Sequence, residues 1–393
     1  MATQSSISPE GPAIFDVMIK GLRWNLTVLL TLTLGPAIAQ GAVIKAGKAK
    51  PGEEDGLTWY DIRELGVEGQ GWPDVKAPFD RLPARMEKAV RPPVWSLSRH
   101  SAGMAVRFVT DAPEVHARWT LTSSRLDMDH MPATGVSGLD LYVKSKDGRW
   151  LWVNVGRAKA KTNTQKMAGD IPDGEHEYLL YLPLYNGVSS VEIGLPKSHS
   201  LKTAPAYPAT KRRPILFYGT SITHGACASR PGMPHPAILG RRFGRPVINL
   251  GFSGNGRMDL ELAALFGELD PAVYVIDCLP NMGADLVKKN AESFLRALRK
   301  AKPDTPFLLV EDRTYADAHF AAGKMKRNLT SRAEFRKIYD KLKAEGIKGL
   351  HYLEGDGLLG DDTEGTVDSS HPNDLGFMRQ ADAFAEALAP LLK

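Results

Sequence analysis

Short stretches of alternating hydrophobic and polar residues dominate the chain between positions 104 and 195. An alternation with a period of two places successive side chains on opposite faces of an extended strand. Turn-forming residues such as Asp111-Ala-Pro113 and Pro172-Asp-Gly174 separate the stretches. Their bounds are Met104–Val109, Val115–Leu121, Leu139–Val143, Trp150–Asn154, Glu177–Leu182 and Val191–Leu195. Many short strands without a helical period predict a β-sandwich domain over residues 41–205.

A different pattern begins at residue 211, where continuous apolar stretches are separated by segments of helical periodicity. The strand-like stretches are Ile215–Tyr218, Val247–Leu250, Val273–Asp277, Phe307–Val310 and Leu350–Leu353. Ser331 and Glu334 have the spacing of a capping box, which predicts a helix start there. Strands that alternate with helices predict a five-stranded parallel sheet with helices on both faces, a three-layer α/β/α domain over residues 211–393.

The composition is that of an ordinary globular protein and narrows the function classes. The 393 residues suggest two domains, and 43% hydrophobic residues supply full cores. The net charge is +5, but no basic block is longer than Lys211–Arg213, so nucleic-acid binding is not expected. Two cysteines, Cys227 and Cys278, are too few for a disulfide scaffold or a cysteine-only metal cluster. We expect two buried thiols, with a disulfide between them as the alternative.

The N-terminus has the features of a secretory signal peptide over residues 1–39. Two basic residues precede an apolar run from Leu26 to Leu34, and Ala37-Ile38-Ala39 has the small-x-small form of a cleavage site. A bilayer span needs ~20 apolar residues, more than this run provides. We predict cleavage after Ala39, a secreted or periplasmic location and no stable membrane insertion afterwards, with residues 1–17 as an over-called start. A membrane anchor is the alternative.

Residues able to carry out acyl chemistry follow four of the predicted parallel strands. Ser221 comes just after the first strand, and the glycine-rich run Gly251–Gly256 follows the second. Asn281 lies after the third strand, and Asp368 and His371 lie after the fifth. Because the carboxyl ends of parallel strands share one edge of a sheet, these residues are expected to meet there. A serine, a histidine and an aspartate in contact form a nucleophile, its base and the base's orienter.

Each of these signals also has a purely structural explanation. Ser221 could cap a helix, Gly251–Gly256 could be a tight connection, and Asn281 could cap the following helix. Asp368 could bond backbone amides in a turn before His371. The glycine run does not fit G-x-G-x-x-G, so no dinucleotide is expected. No metal or other cofactor is expected, because the scattered histidines lack ligand spacing, among them His224, His235 and His319.

Taken together, the motifs resemble the four blocks of the SGNH, or GDSL-type, hydrolase superfamily. The matching residues, in the family's order, are Tyr218-Gly-Thr-Ser221, Asn249-Leu-Gly-Phe-Ser-Gly254, Asn281 and Asp368-x-x-His371. Gly138-Leu-Asp-Leu-Tyr142 resembles the Gly-x-Asp-Leu-Tyr motif in the N-terminal β domain of one esterase subgroup. The chain departs from the usual blocks with Gly-Thr-Ser-Ile and Leu-Pro-Asn-Met, but both departures keep the serine and the asparagine.

The resemblance implies a serine esterase with a defined set of site residues. Ser221 would be the nucleophile, His371 the base and Asp368 its orienter. The oxyanion hole would consist of the N–H groups of Ser221 and Gly254 and the side chain of Asn281. Candidate substrate contacts are His224, Asn255, Arg257 and Arg313. The alternative for His224 is a polar residue on the helix after the nucleophile, and for the two arginines it is a surface or ion-pairing role. We expect hydrolysis of small acyl esters, acetyl foremost, on a small-molecule or carbohydrate substrate. The alternatives are a lipase, a thioesterase, an acyltransferase or a non-catalytic carbohydrate-binding protein.

Overall fold

Antiparallel and parallel sheets occupy separate halves of the chain in the computed structural model, which describes residues 41–44 and 56–393. Strands β1–β9 of the antiparallel half are Leu57–Asp61, Ala105–Thr110, Val115–Leu121, Asp140–Lys144, Trp150–Val155, Thr162–Ala168, His176–Tyr181, Val188–Pro196 and Lys202–Thr203. Its helices α1 and α2 are Pro92–Ser98 and Ala133–Val136. The predicted signal peptide lies outside the described residues. None of the helices within the described ranges is long and apolar enough to cross a membrane.

Two antiparallel sheets pack face to face in the first half, which confirms the predicted sandwich. One sheet has the strand order β1-β8-β3-β6 and the other β5-β4-β7-β2-β9. Every second residue of β3, from Val115 to Leu121, is buried. These side chains pack in one core with residues of the opposite sheet such as Phe108 and Leu180. The alternating pattern in the sequence therefore corresponds to one buried face per sheet.

The second half confirms the predicted three-layer α/β/α architecture. Strands β10–β14 are Ile215–Gly219, Val247–Gly251, Val273–Asp277, Phe307–Val310 and Leu350–Leu353, paired in parallel in the order β11-β10-β12-β13-β14. Helices α3–α8 are Ser221–His224, His235–Phe243, Leu260–Phe266, Ala284–Ala301, Ala322–Ala344 and Asp374–Leu388. The 3₁₀ turns of the described chain are Ile62–Leu65, Ala84–Glu87, Ala209–Lys211, Leu279–Asn281 and Ala389–Leu391. Alternate residues of the interior strand β10 belong to two different cores, one on each face of the sheet.

The predicted helix start at Ser331 is wrong. Helix α7 begins at Ala322 and continues through Ser331, which is buried and donates its hydroxyl to the Asn328 carbonyl at 3.2 Å. Residues 322–330 include Ala, Lys, Met, Arg and Leu, which are strong helix formers. The backbone N–H groups near Ser331 are therefore bonded within the helix, and a capping box has no free donor to satisfy.

The segment between β1 and β2 leaves the sandwich and packs on the parallel half. Trp72, Leu82 and Val94 belong to the same core as Ile248 and Phe266 of that half. The link is also polar, since the Trp72 indole N–H donates to a carboxylate oxygen of Glu268 at 2.9 Å. The part of the chain predicted as one sandwich therefore also covers an edge of the other sheet.

Candidate active site

The serine predicted as nucleophile begins a helix at the carboxyl end of strand β10. Strand β10 ends at Gly219, and Ser221 is the first residue of α3. The cap role left open for Ser221 falls to Thr220, whose hydroxyl accepts the backbone N–H of Ile222 at 3.3 Å. A Cβ at Gly219 would lie 2.7 Å from the carbonyl oxygen of Asp277, so this turn requires glycine.

The loop between β14 and α8 places a histidine against this serine. His371 Nε2 lies 2.8 Å from Ser221 Oγ, and His371 Nδ1 lies 2.7 Å from Asp368 Oδ2. Asp368 Oδ1 accepts the backbone N–H groups of Ser370 and His371 at 3.1 and 2.8 Å. The turn and the orienting contact, which were alternatives in the sequence, are therefore both made by one carboxylate.

Bonds to the residue between these two side chains fix the shape of the loop. Ser369 has a φ of 76°, in the left-handed region that a residue with a side chain rarely adopts. Its N–H donates to Thr366 Oγ1 at 3.1 Å, and its carbonyl accepts the Ala316 N–H at 2.9 Å. Its hydroxyl bonds Asp317, which also pairs with Lys324 at 2.6 Å. Hydrogen bonds from the neighbouring loop after β13 thus stabilise the strained turn at Ser369.

The surroundings of Asp368 favour its ionised form. Burial acts to raise the pKa of Asp368, but hydrogen bonds from the backbone and ring of His371, the charge of His371 and the Ser370 N–H outweigh it. The pKa of Asp368 therefore lies below its usual value. A carboxylate at this place keeps the proton of His371 on Nδ1, which leaves Nε2 as the acceptor for a serine proton.

Groups suited to an oxyanion come from the loops after β11 and β12. Gly254 is exposed, has a φ of 68°, and would have open space around a Cβ, so its backbone is accessible. Arg257 Nε donates to the Gly254 carbonyl at 2.9 Å. Asn281 does not cap the following helix, because its Oδ1 accepts the Gly256 N–H at 3.2 Å. That bond leaves the Asn281 Nδ2 group as a donor.

All four candidate substrate contacts have partners within the protein. Asn255 Oδ1 accepts from Arg91 Nη1 at 2.6 Å, and Arg257 donates to the Gly254 carbonyl. His224 is fully buried, with its Nε2 2.7 Å from the Leu184 carbonyl oxygen. Burial, followed by the charge of Arg81 and by His100, lowers the pKa of His224 well below its usual value. His224 is therefore a buried neutral side chain rather than a second base.

The side chain of Arg313 is buried, so it does not have the predicted contact with substrate. Its guanidinium is 1% exposed and forms a bidentate pair with the fully buried carboxylate of Asp277, with one bond of 2.8 Å. Its Nε also donates to Gln380. Asp277 Oδ2 in turn accepts the Thr223 hydroxyl of α3 at 3.1 Å. Arg313 therefore has the ion-pairing role, and through Asp277 and Thr223 it is linked to helix α3, which carries Ser221.

Both cysteine thiols are free and buried. The disulfide alternative is therefore wrong, and the expected pair of buried thiols is found. Cys278 belongs to the core on one face of the parallel sheet. Cys227 follows α3 and has a φ of 55°. Burial, and then the charge of Asp368, raises the pKa of Cys227 to about 12.

The sequence pattern missed a set of contacts from the antiparallel half. The Arg81 guanidinium is buried and donates to the carbonyls of Asn249 and Gly251 at 3.1 and 2.7 Å, directly before the Gly254 loop. Burial lowers the pKa of Arg81 to about 9, so the group stays charged at neutral pH. The Tyr185 hydroxyl lies 3.3 Å from the Ser221 carbonyl oxygen. Neither residue stands in a recognisable motif, so only proximity in space identifies them.

Two family models match the chain, one in each half. The GDSL-like Lipase/Acylhydrolase family matches residues 212–389, and the N-terminus of Esterase_SGNH_hydro-type matches residues 57–201. A search of curated proteins finds no significant match.

Solved structures similar to this chain align over both halves. A structure described as a GDSL-like lipase from Bacteroides ovatus has 32% identity and a TM-score of 0.81, covering 86% of this chain and 98% of that one. The salicylyl-acyltransferase SsfX3 from a tetracycline biosynthetic pathway has 18% identity and a TM-score of 0.67, with the same coverage. The acetyl xylan esterase Est2A from Butyrivibrio proteoclasticus has 11% identity and a TM-score of 0.52, covering 84% and 98%. The last two are similar in fold alone.

Proposed function

Because the chain belongs to the GDSL-like lipase and acylhydrolase family, a group of SGNH-type hydrolases, we propose that it is a secreted serine esterase acting on small acyl esters of carbohydrates. One observation carries the proposal: the contacts run without a break from Asp368 through His371 to Ser221, over 2.7 and 2.8 Å. A serine hydroxyl is a weak nucleophile until an adjacent base takes its proton, and this line of contacts provides that base.

In the proposed mechanism Ser221 Oγ attacks the ester carbonyl while His371 Nε2 takes the serine proton. Asp368 stabilises the imidazolium, which then gives the proton to the leaving alcohol as the ester C–O bond breaks. Water, activated by the same histidine, hydrolyses the acyl-enzyme. General-base help of this kind contributes ~10²–10⁴-fold to the rate. The negative charge on the carbonyl oxygen would be met by the N–H groups of Ser221 and Gly254 and by Asn281 Nδ2.

The partly exposed residues around the buried Ser221 support a substrate whose bulk stays in solvent. The side chain of His371 is 24% exposed and Gly254 is exposed. An acetyl group on a sugar presents a small acyl part to the serine and leaves the sugar outside. The fold-level neighbour Est2A is an acetyl xylan esterase, which favours acetyl as the acyl group. The predicted signal peptide agrees with a carbohydrate substrate outside the cell.

The proposal is tested with the purified protein and the Ser221→Ala variant. The protein should release acetate from p-nitrophenyl acetate, acetylated monosaccharides and acetylated xylan, and Ser221→Ala should lose this turnover while its thermal unfolding is unchanged. Ser370→Ala is the matched control, since it removes a neighbouring hydroxyl but keeps the N–H bonded to Asp368. Full activity of Ser221→Ala would rule out the proposed nucleophile.

An acyltransferase remains the second candidate, because the neighbour SsfX3 is an acyltransferase of the same fold. The acyl-enzyme would be the same, and a sugar or another alcohol would replace water as the acceptor. Product analysis with an added acceptor separates the two reactions. Comparison of acetyl with octanoyl esters separates both from a lipase.

A further inference from the structure

Three side chains of metal-binding type meet at the candidate triad, and one of them is the triad's own His371. His130, Cys227 and His371 each offer one donor atom, and these atoms all lie within 4.8 Å of one another. The rings of His130 and His371 have centroids 5.7 Å apart and stand nearly perpendicular, at 75°. His130 comes from the loop between β3 and α2, Cys227 from the loop after α3 and His371 from the loop before α8. No spacing in the sequence links the three positions.

The chemistry of this donor set selects a borderline-soft cation. Two imidazoles and one thiolate match the ligands of Zn²⁺, with Zn–N near 2.0 Å and Zn–S near 2.3 Å. Binding at those distances requires the donor atoms to approach by roughly 1 Å, given tetrahedral geometry. His130 is exposed, so its side chain has room to make that adjustment. Three protein ligands leave a fourth position for water, as in an open zinc site.

We propose that His130, Cys227 and His371 form an inhibitory Zn²⁺ site that turns off the esterase by capturing its base. Both nitrogens of His371 already have partners, Asp368 at Nδ1 and Ser221 at Nε2. A metal on either nitrogen breaks one of those two bonds. Metal binding at this site would therefore inhibit the triad. The inhibition, unlike the binding, rests on the proposed esterase function. The Cys227 thiol proton leaves to solvent as the S–Zn bond forms.

Metal binding is tested without relying on activity. Titration calorimetry of the Ser221→Ala protein should show one Zn²⁺ per chain, and Co²⁺ should produce a thiolate-to-metal absorption band. The Cys227→Ser variant should lose the band, and His130→Asn should bind Zn²⁺ at least about ten-fold more weakly, because one ligand of three is removed. His319→Asn is the control, since His319 is another loop histidine and lies outside the cluster. Absence of Zn²⁺ binding, or equal binding by all variants, would overturn the site.

Inhibition is tested separately with p-nitrophenyl acetate. Saturating Zn²⁺ should lower kcat of the unmodified protein by at least about 10²-fold, since it removes general-base help of that size. His130→Asn and Cys227→Ser should keep their activity in chelator and resist Zn²⁺, while Mg²⁺, which prefers oxygen ligands, should have no effect. Equal inhibition of both variants and the parent would refute the coupling. Lack of esterase activity in chelator would instead refute the proposed function, and the binding result would still stand.

Discussion

The parallel and antiparallel halves contribute to the candidate site in different ways. The parallel half supplies Ser221, Gly254, Asn281, Asp368 and His371, because loops after its strands open onto one sheet edge. The antiparallel half supplies none of these, but its groups bond to the loops and helix that carry them. Reactive side chains need a common edge, whereas support can come from any part of the chain that packs nearby.

The Gly-x-Asp-Leu-Tyr motif shows what this support consists of. Asp140 is fully buried, and its Oδ2 accepts the Gly232 N–H at 2.8 Å and an Arg230 N–H at 2.9 Å, both from the loop after α3. Its Oδ1 accepts the Trp152 indole N–H at 2.8 Å. A Cβ at Gly232 would lie 2.5 Å from the Tyr142 hydroxyl. The motif therefore joins the two halves, with no contact to Ser221 or His371 among these bonds.

The largest expected effect is a loss of catalytic rate, without loss of stability, when a residue of the parallel half's reactive set is changed. Asp368→Asn should lower kcat on p-nitrophenyl acetate by about 10⁴-fold, because an amide stabilises the wrong tautomer of the histidine. The unfolding free energy should change little, since the Asp368 side chain is 39% exposed and an Asn oxygen can still accept the two backbone N–H groups. Asp362→Asn, on the same loop and paired with Arg379, is the control and should stay near full activity. Activity of Asp368→Asn near that of the control would contradict the assigned role.

The second effect removes support from the antiparallel half. Arg81→Met should lower the unfolding free energy by about 3–5 kcal/mol, since buried carbonyls that lose a charged donor cost about 1–3 kcal/mol each. Chemical denaturation measures this change. Arg85→Met removes only exposed pairs with Asp74 and Glu268 and should cost about 1 kcal/mol or less. Equal stability of the two variants would show that Arg81 does not hold the β11 loop.

The smallest expected effect is a loss of stability when the bonds of Asp140, which link the two halves, are weakened. Asp140→Asn should destabilise the protein by about 2 kcal/mol, because it weakens a buried bond to a charged group but keeps a similar shape. Asp147→Asn, on an exposed hairpin beside Arg149, should change stability by about 0.5 kcal/mol or less. The folded Asp140→Asn protein should keep its kcat. A selective loss of kcat with unchanged stability would show that Asp140 takes part in the reaction and does not only stabilise the fold.

The strands of the parallel half could be predicted almost residue by residue, since buried strands have continuous apolar runs that turn signals delimit. The antiparallel half was predicted less completely. Strand β6, Thr162–Ala168, has the burial pattern of an edge strand with few apolar residues, so hydrophobicity alone did not reveal it. The short strand β9, Lys202–Thr203, is not among the predicted strands. Long-range pairing rather than local preference forms these strands.

Among the candidate site residues, the sequence was informative where a motif ties chemistry to a strand end. Ser221, Asp368 and His371 lie in contact as expected, and their catalytic roles remain predictions. Arg313 was harder to place, because a charged residue after a strand looks the same whether it faces substrate or a buried carboxylate. Only the position of Asp277 on the neighbouring strand decided that question.

The sequence by itself determined that an antiparallel sandwich is followed along the chain by a parallel sheet. It also determined which residues follow the parallel strands at one edge of that sheet. These depend on local periodicity and on the rule that parallel strands end together. The tertiary structure alone decided that Arg81 and Tyr185 reach the site, that His224 is buried and that His130 and Cys227 lie beside His371. Such contacts join positions up to 241 residues apart in the case of His130 and His371. No local pattern in the sequence indicates them, because they arise only when distant parts of the chain pack together.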